Sequence, residues 1–130
     1  MKVPILRLKK ILLTSIQVEL TDEDAIEFQS DVLSEVTRTE AKGIIIDITA
    51  LDIVDSYMAR VLNDTANMVQ FLGCEVIITG MQPSVAITLI EMGRKLVNVG
   101  TALNLDRGME KIQRMISSRE EGTPAVDEGE

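Results

Sequence analysis

The chain has 130 residues, of which 45% are hydrophobic, and its formal net charge is −8 at pH 7. This length and apolar content are typical of one compact domain with a sizeable core. Histidine is absent, which excludes Ser-His and Cys-His nucleophile pairs and histidine metal sites, so an enzyme becomes the less favoured class.

The same composition indicates which classes of partner and which cellular compartment to expect. The acidic balance and the presence of only three aromatic residues argue against a nucleic-acid partner. No stretch approaches the roughly 20 apolar residues that span a bilayer, and the first residues do not resemble a signal peptide. We therefore expect a cytoplasmic protein with no membrane partner. Cys74 is the single cysteine, which excludes an internal disulfide, and its apolar surroundings predict a small core residue.

The first half of the chain predicts a hairpin, a helix and a strand. Residues 3–8 and 10–17 are two extended segments, with a bend expected near Lys9. Thr21 is the predicted N-cap of a helix that ends near Glu40. Residues 44–48 follow as a nearly continuous β-branched run, which is typical of a strand buried on both faces of a sheet.

A second helix is predicted from Ser56 to a stop at Gly73, followed by a strand over residues 75–80 and a helix with Pro83 in its first turn. The apolar face expected for the first of these helices consists of Met58, Val61, Leu62, Thr65, Met68, Val69 and Leu72. The face expected for the second consists of Val85, Ala86, Leu89, Ile90 and Met92.

The last part of the chain predicts an edge element, a helix and a tail. Residues 97–99 are expected to form a short edge strand or an extended connection, and Asp106 is the expected cap of a final helix. We expect a single domain over residues 1–116. Residues 117–130 contain five acids and one arginine, and we interpret them as a disordered acidic tail.

The order of these elements predicts an α/β fold. Alternating strands and helices favour a mixed sheet of about four to five strands with roughly four packed helices, in which only the opening pair is antiparallel. In such sheets functional residues gather at the loops after the carboxyl ends of the strands. Ser56 and Ser84 both lie in such loops.

Several interpretations of these hydroxyls remain open on local pattern alone. Asp55 and Ser56 are residue types that commonly cap helices, yet a hydroxyl at the positive end of a helix is also a candidate modification site. Ser84 and Thr88 on the next helix are secondary candidates for phosphorylation, and for Ser84 capping of that helix is the expected role. Asp47, Asp52 and Asp55 could be taken for a metal site, but their spacing is compatible with turns and caps, so we expect no metal. The loop after residue 80 contains no phosphate-binding motif, and no cofactor is expected.

Residues 43–93 resemble STAS domains of the anti-sigma-factor antagonist family. The resemblance rests on a strand that ends in Asp47, a short acidic loop, Asp55-Ser56 at a helix start, and a second strand followed by a glycine-containing loop. It extends over nearly all of residues 1–116. Many direct antagonists in this family have a small residue and then glycine after the serine. Tyr57 and Met58 are bulky, so the chain looks more like the members that form stressosome scaffolds.

The resemblance implies a function in which partners supply all the catalysis. Ser56 would be the phosphoacceptor of a serine kinase of the RsbT type and would be reset by a phosphatase of the RsbX type. The unmodified domain would hold the kinase, together with RsbR-type STAS proteins and further copies of itself in a large assembly. Charge considerations place the partner-binding surface at Asp55, Tyr57 and Arg60. Tyr57 is expected either to contact a partner or to pack against the sheet edge.

Two other functions remain as alternatives. The first is a direct anti-sigma-factor antagonist that is also switched by phosphorylation. The second is a ligand-sensing domain or an enzyme that uses the loops around Asp47, Asp55 and Ser84, which would require a pocket.

Overall fold

The computed structural model describes residues 2–93 and 99–121, in which five strands and four helices alternate. The elements are β1 (Ile5–Leu8), β2 (Ile11–Ser15), α1 (Asp22–Thr39), β3 (Gly43–Asp47), α2 (Ser56–Phe71), β4 (Glu75–Thr79), α3 (Pro83–Glu91), β5 (Gly100–Ala102) and α4 (Leu105–Glu120). The predicted α/β fold with a mixed sheet is confirmed.

The five strands form one sheet in the order β1-β2-β3-β4-β5. Only β1 and β2 are antiparallel, and the left-handed conformation of Lys9, with φ 58°, turns the chain between them. The other pairs are parallel, and their register aligns Ser15, Asp47 and Thr79 across the ends of β2, β3 and β4. The carboxyl ends of three strands therefore present polar side chains side by side.

Helices cover both faces of the sheet. The larger core lies between the sheet and helices α1 and α2, and it contains Ile44, Ile46 and Ile48. The smaller core lies under α4, where Ile45 and Ile112 are fully buried. The alternation of strand side chains thus divides consecutive isoleucines between two cores.

Helices α1 and α2 are linked by a hydrogen bond that Gln29 Nε2 donates to Thr65 Oγ1 at 3.1 Å. On the other face α4 lies so close to β4 that a Cβ atom at Gly108 would be 2.4 Å from Thr79 Cγ2. Glycine at position 108 is what permits this contact.

The predicted helix starts are confirmed at α1 and α2 and corrected at α4. Thr21 accepts a hydrogen bond from the backbone N–H of Asp24 at 3.1 Å and caps α1. The N-cap of α4 is Asn104, whose side chain accepts from the N–H of Arg107 at 2.9 Å. Asp106 lies in the first turn, so its prediction as the cap was wrong.

Some predicted core positions lie at the margins of their helices instead. Met68 is 39% exposed, Leu72 is 52% exposed and Ile90 is 72% exposed, whereas Val85 and Leu89 are buried as expected. Helical spacing correctly finds the apolar stripe, but the width of its buried part depends on the neighbouring elements.

The edge strand and the end of the last helix also differ from expectation. Residues 97 and 98 lie outside the described residues, Val99 is not in a strand, and β5 forms at Gly100–Ala102. The last helix is longer than predicted. Helix α4 continues to Glu120, so residues 117–120 are helical, and their assignment to the disordered tail was wrong. Two ion pairs accompany this extension, Arg119 with Glu75 at 2.9 Å and Lys42 with Glu120 at 3.2 Å. The rest of the predicted tail, from residue 122, is outside the described residues.

Within the described ranges, no helix is both long enough and apolar enough to cross a membrane.

Candidate functional site at the start of α2

The loop between β3 and α2 is held by buried apolar side chains. Ile48, Leu51 and Val54 are buried, and the backbone N–H of Ile48 donates to the carbonyl of Thr79 at 2.9 Å. Ile53 points outward and is 69% exposed. The loop therefore packs on the core through every third residue and leaves one large apolar side chain on the surface.

Asp55 is the residue that caps α2. Its backbone is extended, with φ −81° and ψ 175°, and its Oδ1 accepts a hydrogen bond from the N–H of Met58 at 2.8 Å. The carbonyl of Asp55 accepts the first helical bond, from the N–H of Ala59 at 3.0 Å. Since a side-chain cap satisfies an otherwise unpaired N–H, this carboxylate fixes the position at which the helix begins.

Ser56 is the first residue of α2, and its side chain is exposed. Among residues 2–93 and 99–121, the Ser56 hydroxyl makes no hydrogen bond. Asp55 performs the capping, so the capping interpretation applies to Asp55 and not to Ser56. The hydroxyl of Ser56 is available to a group outside the domain.

The other predicted surface residues divide between the core and the solvent. Tyr57 is half-buried and packs against the larger core. Met58 is buried, as predicted. Arg60 is exposed, and within the described part of the chain it forms no ion pair. Asp55, Ser56 and Arg60 therefore form a small charged and polar surface beside a tyrosine that is fixed by packing.

The carboxylate of Asp47 is occupied by hydroxyl groups. Its Oδ1 accepts from Thr79 Oγ1 at 2.7 Å and from Thr49 Oγ1 at 2.9 Å, and its Oδ2 accepts from Ser15 Oγ at 3.2 Å. This network was not predicted from the sequence. The alignment of Ser15, Asp47 and Thr79 at the ends of parallel strands is the signal that could have found it.

The acidic residues of the loop do not converge on a cation site. No group of three or more potential ligand residues is present in the part of the chain that the structure describes. Asp47 accepts from hydroxyl donors and Asp55 from a backbone donor, so the structure offers no argument for a metal at either carboxylate.

Ser84 and Thr88 are engaged within the domain. Ser84 Oγ donates to the carbonyl of Asp52 at 2.6 Å, and Thr88 Oγ1 donates to the carbonyl of Ser84 at 3.0 Å. The N-cap of α3 is Gln82, and its side chain makes no capping bond but donates to the carbonyl of Thr49 at 2.7 Å. Capping by Ser84 was therefore a wrong expectation: its hydroxyl ties α3 to the loop that precedes Ser56.

A shallow pocket of about 20 Å³ lies beside this loop. It is lined by Ile16, Glu19, Leu20, Leu51, Ile53, Val54, Asp55 and Met58. Small-molecule sites have volumes of roughly 300–1,000 Å³, so this pocket does not support a ligand-sensing function.

Cys74 is 1% exposed and lies directly before β4. Burial raises the pKa of its thiol to about 12. Because the thiolate is the reactive form, this cysteine is unreactive at neutral pH, in agreement with its prediction as a core residue.

Comparison with known proteins supports the resemblance seen in residues 43–93. A family model described as "STAS domain" matches residues 3–106. Two solved structures have closely similar folds. A serine-to-glutamate variant of RsbS from Moorella thermoacetica is 38% identical, with a TM-score of 0.80, over 88% of this chain and 97% of that one. A chain in a structure of the stressosome, described as a signal integration and transduction hub, is 39% identical, with a TM-score of 0.77, over 86% of this chain and 97% of that one.

A curated relative is the RsbT co-antagonist protein RsbRA of Bacillus subtilis. It is 26% identical over 93 residues, which are 72% of this chain and 34% of the relative. The chain therefore spans about a third of the length of that protein. The predicted likeness to stressosome scaffold proteins is confirmed by these matches.

Proposed function

Because this chain belongs to the STAS domain family, we propose that it is a non-enzymatic signalling scaffold that binds a serine kinase and releases it when Ser56 is phosphorylated. The observation that carries this proposal is the exposed Ser56 hydroxyl, which has no partner among the described residues and lies next to the capping carboxylate of Asp55.

The relatives support the identity of the partners. RsbRA is named as a co-antagonist of RsbT, and we propose that a kinase of the RsbT type binds this chain and that a phosphatase of the RsbX type removes the phosphate. The likeness to a stressosome chain over nearly its whole length supports assembly with RsbR-type STAS proteins and with further copies of this chain. The Moorella relative was solved with glutamate in place of a serine, a substitution that adds negative charge.

The charge of a phosphate is large enough to operate such a switch. Phosphorylation adds about −1.5 to −2 charges at pH 7. The helix N-terminus stabilises that charge by only about 0.3–1 kcal/mol, and Arg60 at i+4 adds a few tenths. An acidic group of a docked partner at contact distance repels it by a few kcal/mol at an effective dielectric constant near 20. The unfavourable interaction with a partner is therefore the larger effect.

The domain itself is expected to keep its fold when Ser56 is modified. The capping bond at α2 uses Asp55 and Met58, and the serine hydroxyl contributes no bond within the described residues. Phosphorylation thus adds charge to the surface formed by Asp55, Tyr57 and Arg60 without removing a contact that holds the domain together. We propose this surface as the one that the kinase recognises.

The direct test compares the affinity of the kinase for two variants. We expect Ser56→Ala to bind an RsbT-type kinase as tightly as the unmodified chain, and Ser56→Asp to bind at least tenfold more weakly, which corresponds to about 1.4 kcal/mol. Isothermal titration calorimetry measures both affinities. Ser34→Asp is the matched control, because Ser34 is also an exposed helical serine but lies on α1. Equal affinities of Ser56→Ala and Ser56→Asp would overturn the proposal.

A direct anti-sigma-factor antagonist is the alternative, and the size of the complex distinguishes it. A scaffold enters a large assembly with RsbR-type proteins, whereas a direct antagonist forms a small complex with one anti-sigma kinase. Size-exclusion chromatography with mass determination separates these outcomes. The bulky pair Tyr57 and Met58, with Met58 in the core and Tyr57 packed against it, favours the scaffold.

A further inference from the structure

The face of the sheet that packs under α4 is covered over only part of its width. Helix α4 contacts β3, β4 and β5. The register places Leu6 opposite Leu13 and Leu8 opposite Ile11, so these side chains point to the same face as the smaller core. Leu6 is 62% exposed and Leu8 is 57% exposed. The part of this face formed by β1 and β2, here called the open face, therefore leaves two leucines largely uncovered by the described residues.

Lysines border the open face at the amino ends of the parallel strands. Lys9 and Lys10 form the turn between β1 and β2, and the carbonyl of Lys10 accepts from the N–H of Lys42 at 2.8 Å. All three side chains are exposed. Lys42 is paired with Glu120, so in a chain of net charge −8 Lys9 and Lys10 are the positive charges that remain beside this apolar surface. It suits a segment that is both acidic and partly apolar.

The chain contains such a segment next to this place. Helix α4 ends at Glu120, whose carboxylate lies 3.2 Å from Lys42 Nζ. Residues 122–130 follow, with three acids, no basic residue and the apolar pair Ala125 and Val126.

The segment is long enough to reach from the end of α4 to β1. Neighbouring strands lie about 4.8 Å apart, so β1 is roughly 10 Å from β3 in the plane of the sheet. Five extended residues after Glu121 reach up to about 17 Å.

We propose that residues 122–130 dock on the open face, with Ala125 and Val126 against Leu6 and Leu8 and the acids that follow beside Lys9 and Lys10. The open face of a second copy fits this surface less well, because it is bordered by lysines and not by the acids that would complement Lys9 and Lys10. The docked segment would cover the exposed leucines of β1, an edge strand of the sheet, and edge strands are where unwanted pairing between chains begins. This proposal is independent of the phosphorylation of Ser56.

Paramagnetic relaxation enhancement tests the contact in the full chain. A spin label on Gly129→Cys reacts selectively, because the thiol of Cys74 is buried and its pKa is raised to about 12. We expect the amide signals of Leu6 and Leu8 to lose most of their intensity, while that of Ser56, on the opposite edge and face, keeps its intensity. Unchanged signals of both leucines would overturn the proposal.

Charge-reversal variants test the electrostatic part of the contact. Lys9→Glu should restore the signals of Leu6 and Leu8, whereas Arg114→Glu, an equal change at an exposed position of α4, should leave them weakened. Restoration in 1 M salt, where the Debye length falls to about 3 Å, supports the same contact. An identical response to both variants would show that net charge, and not these lysines, is responsible.

A mixture of spin-labelled and isotope-labelled chains shows whether the docked segment belongs to the same chain or to another copy. In a sample where spin-labelled chains carry no isotope and isotope-labelled chains carry no spin label, we expect no loss of signal at Leu6 or Leu8. If the signals of Leu6 and Leu8 weaken in this mixture as much as in a chain that carries both labels, the segment docks on another copy. The proposal would then be wrong. A chain that ends at Glu121 provides an independent measurement, since its β1 amides should exchange hydrogen faster than those of the full chain.

Discussion

Helices α2 and α3 begin in similar settings, yet their serines have opposite roles. Each helix follows a parallel strand at the same edge of the sheet, and each carries a serine in its first two positions. The hydroxyl of Ser56 makes no bond to the described residues, whereas that of Ser84 donates to the carbonyl of Asp52 at 2.6 Å. A serine at a helix start therefore either stays free at the surface or ties the helix to a neighbouring loop, depending on what lies beside it.

The difference arises from the residue that precedes each helix. Asp55 supplies a capping carboxylate at α2, so Ser56 is not needed there. At α3 the N-cap Gln82 makes no capping bond and instead donates to Thr49, and Ser84 donates to the same loop at Asp52. The start of α3 thus holds the loop that presents Ser56. The start of α2 exposes the Ser56 hydroxyl, and the start of α3 holds the loop before Ser56 through the bonds of Gln82 and Ser84.

The strongest test of this comparison is the location of the phosphate. We expect Ser56→Ala to abolish phosphate incorporation by an RsbT-type kinase, because its hydroxyl is the available one. Ser84→Ala and Thr88→Ala should both still accept one phosphate, as measured by intact-protein mass spectrometry. Full incorporation into Ser56→Ala would show that another hydroxyl is the acceptor and would contradict the comparison.

The turn that leads into α3 is expected to be the most sensitive backbone position. Gly80 has φ +73°, and a Cβ atom there would lie 1.9 Å from Thr49 Oγ1. Gly80→Ala should destabilise the domain by about 1–3 kcal/mol in urea unfolding. Gly73→Ala is the matched control, since Gly73 has φ +87° with no atom within 4 Å of the added Cβ. A smaller loss for Gly80→Ala than for Gly73→Ala would contradict the close contact with Thr49.

The smallest expected effects are changes in unfolding free energy that distinguish the capping residue Asp55 from Ser56 at the start of α2. Asp55→Ala removes the bond to the N–H of Met58 and should cost about 1 kcal/mol of unfolding free energy. Ser56→Ala should change that free energy by less than about 0.5 kcal/mol, as is usual for surface positions without a specific contact. Chemical denaturation of both variants at the same pH measures the difference. Equal losses would show that the Ser56 hydroxyl supports the helix after all.

The sequence predicts those features that short-range patterns control. The β-branched run in β3, the Thr21 cap and the Asp-Ser pair at the start of α2 are each recognisable from a few neighbouring residues. The parallel pairing of the strands after β2 follows from the alternation with helices. For this reason the central strand and the position of Ser56 were both predicted correctly.

Long-range contacts account for what the sequence did not predict. Ser84 and Asp52 are 32 residues apart, and nothing in the neighbourhood of either residue indicates their bond. The same holds for Asp47 and its partners Ser15 and Thr79, which meet only when the sheet forms. Three-residue β5 contains too few residues to show a pattern of its own and is defined by its pairing with β4.

The hydrogen bond between Gln29 and Thr65 bears on whether phosphorylation of one domain would change the phosphorylation of its neighbours in an assembly. It joins α1 to α2 in the middle of α2, whose inner residues are buried along its whole length. Cooperativity between sites requires two arrangements of the domain, and this bond favours the arrangement in which α1 and α2 are held together. In an assembly of many copies we therefore expect each Ser56 to be modified independently of the others. The output would then rise in proportion to the number of modified copies, without a threshold.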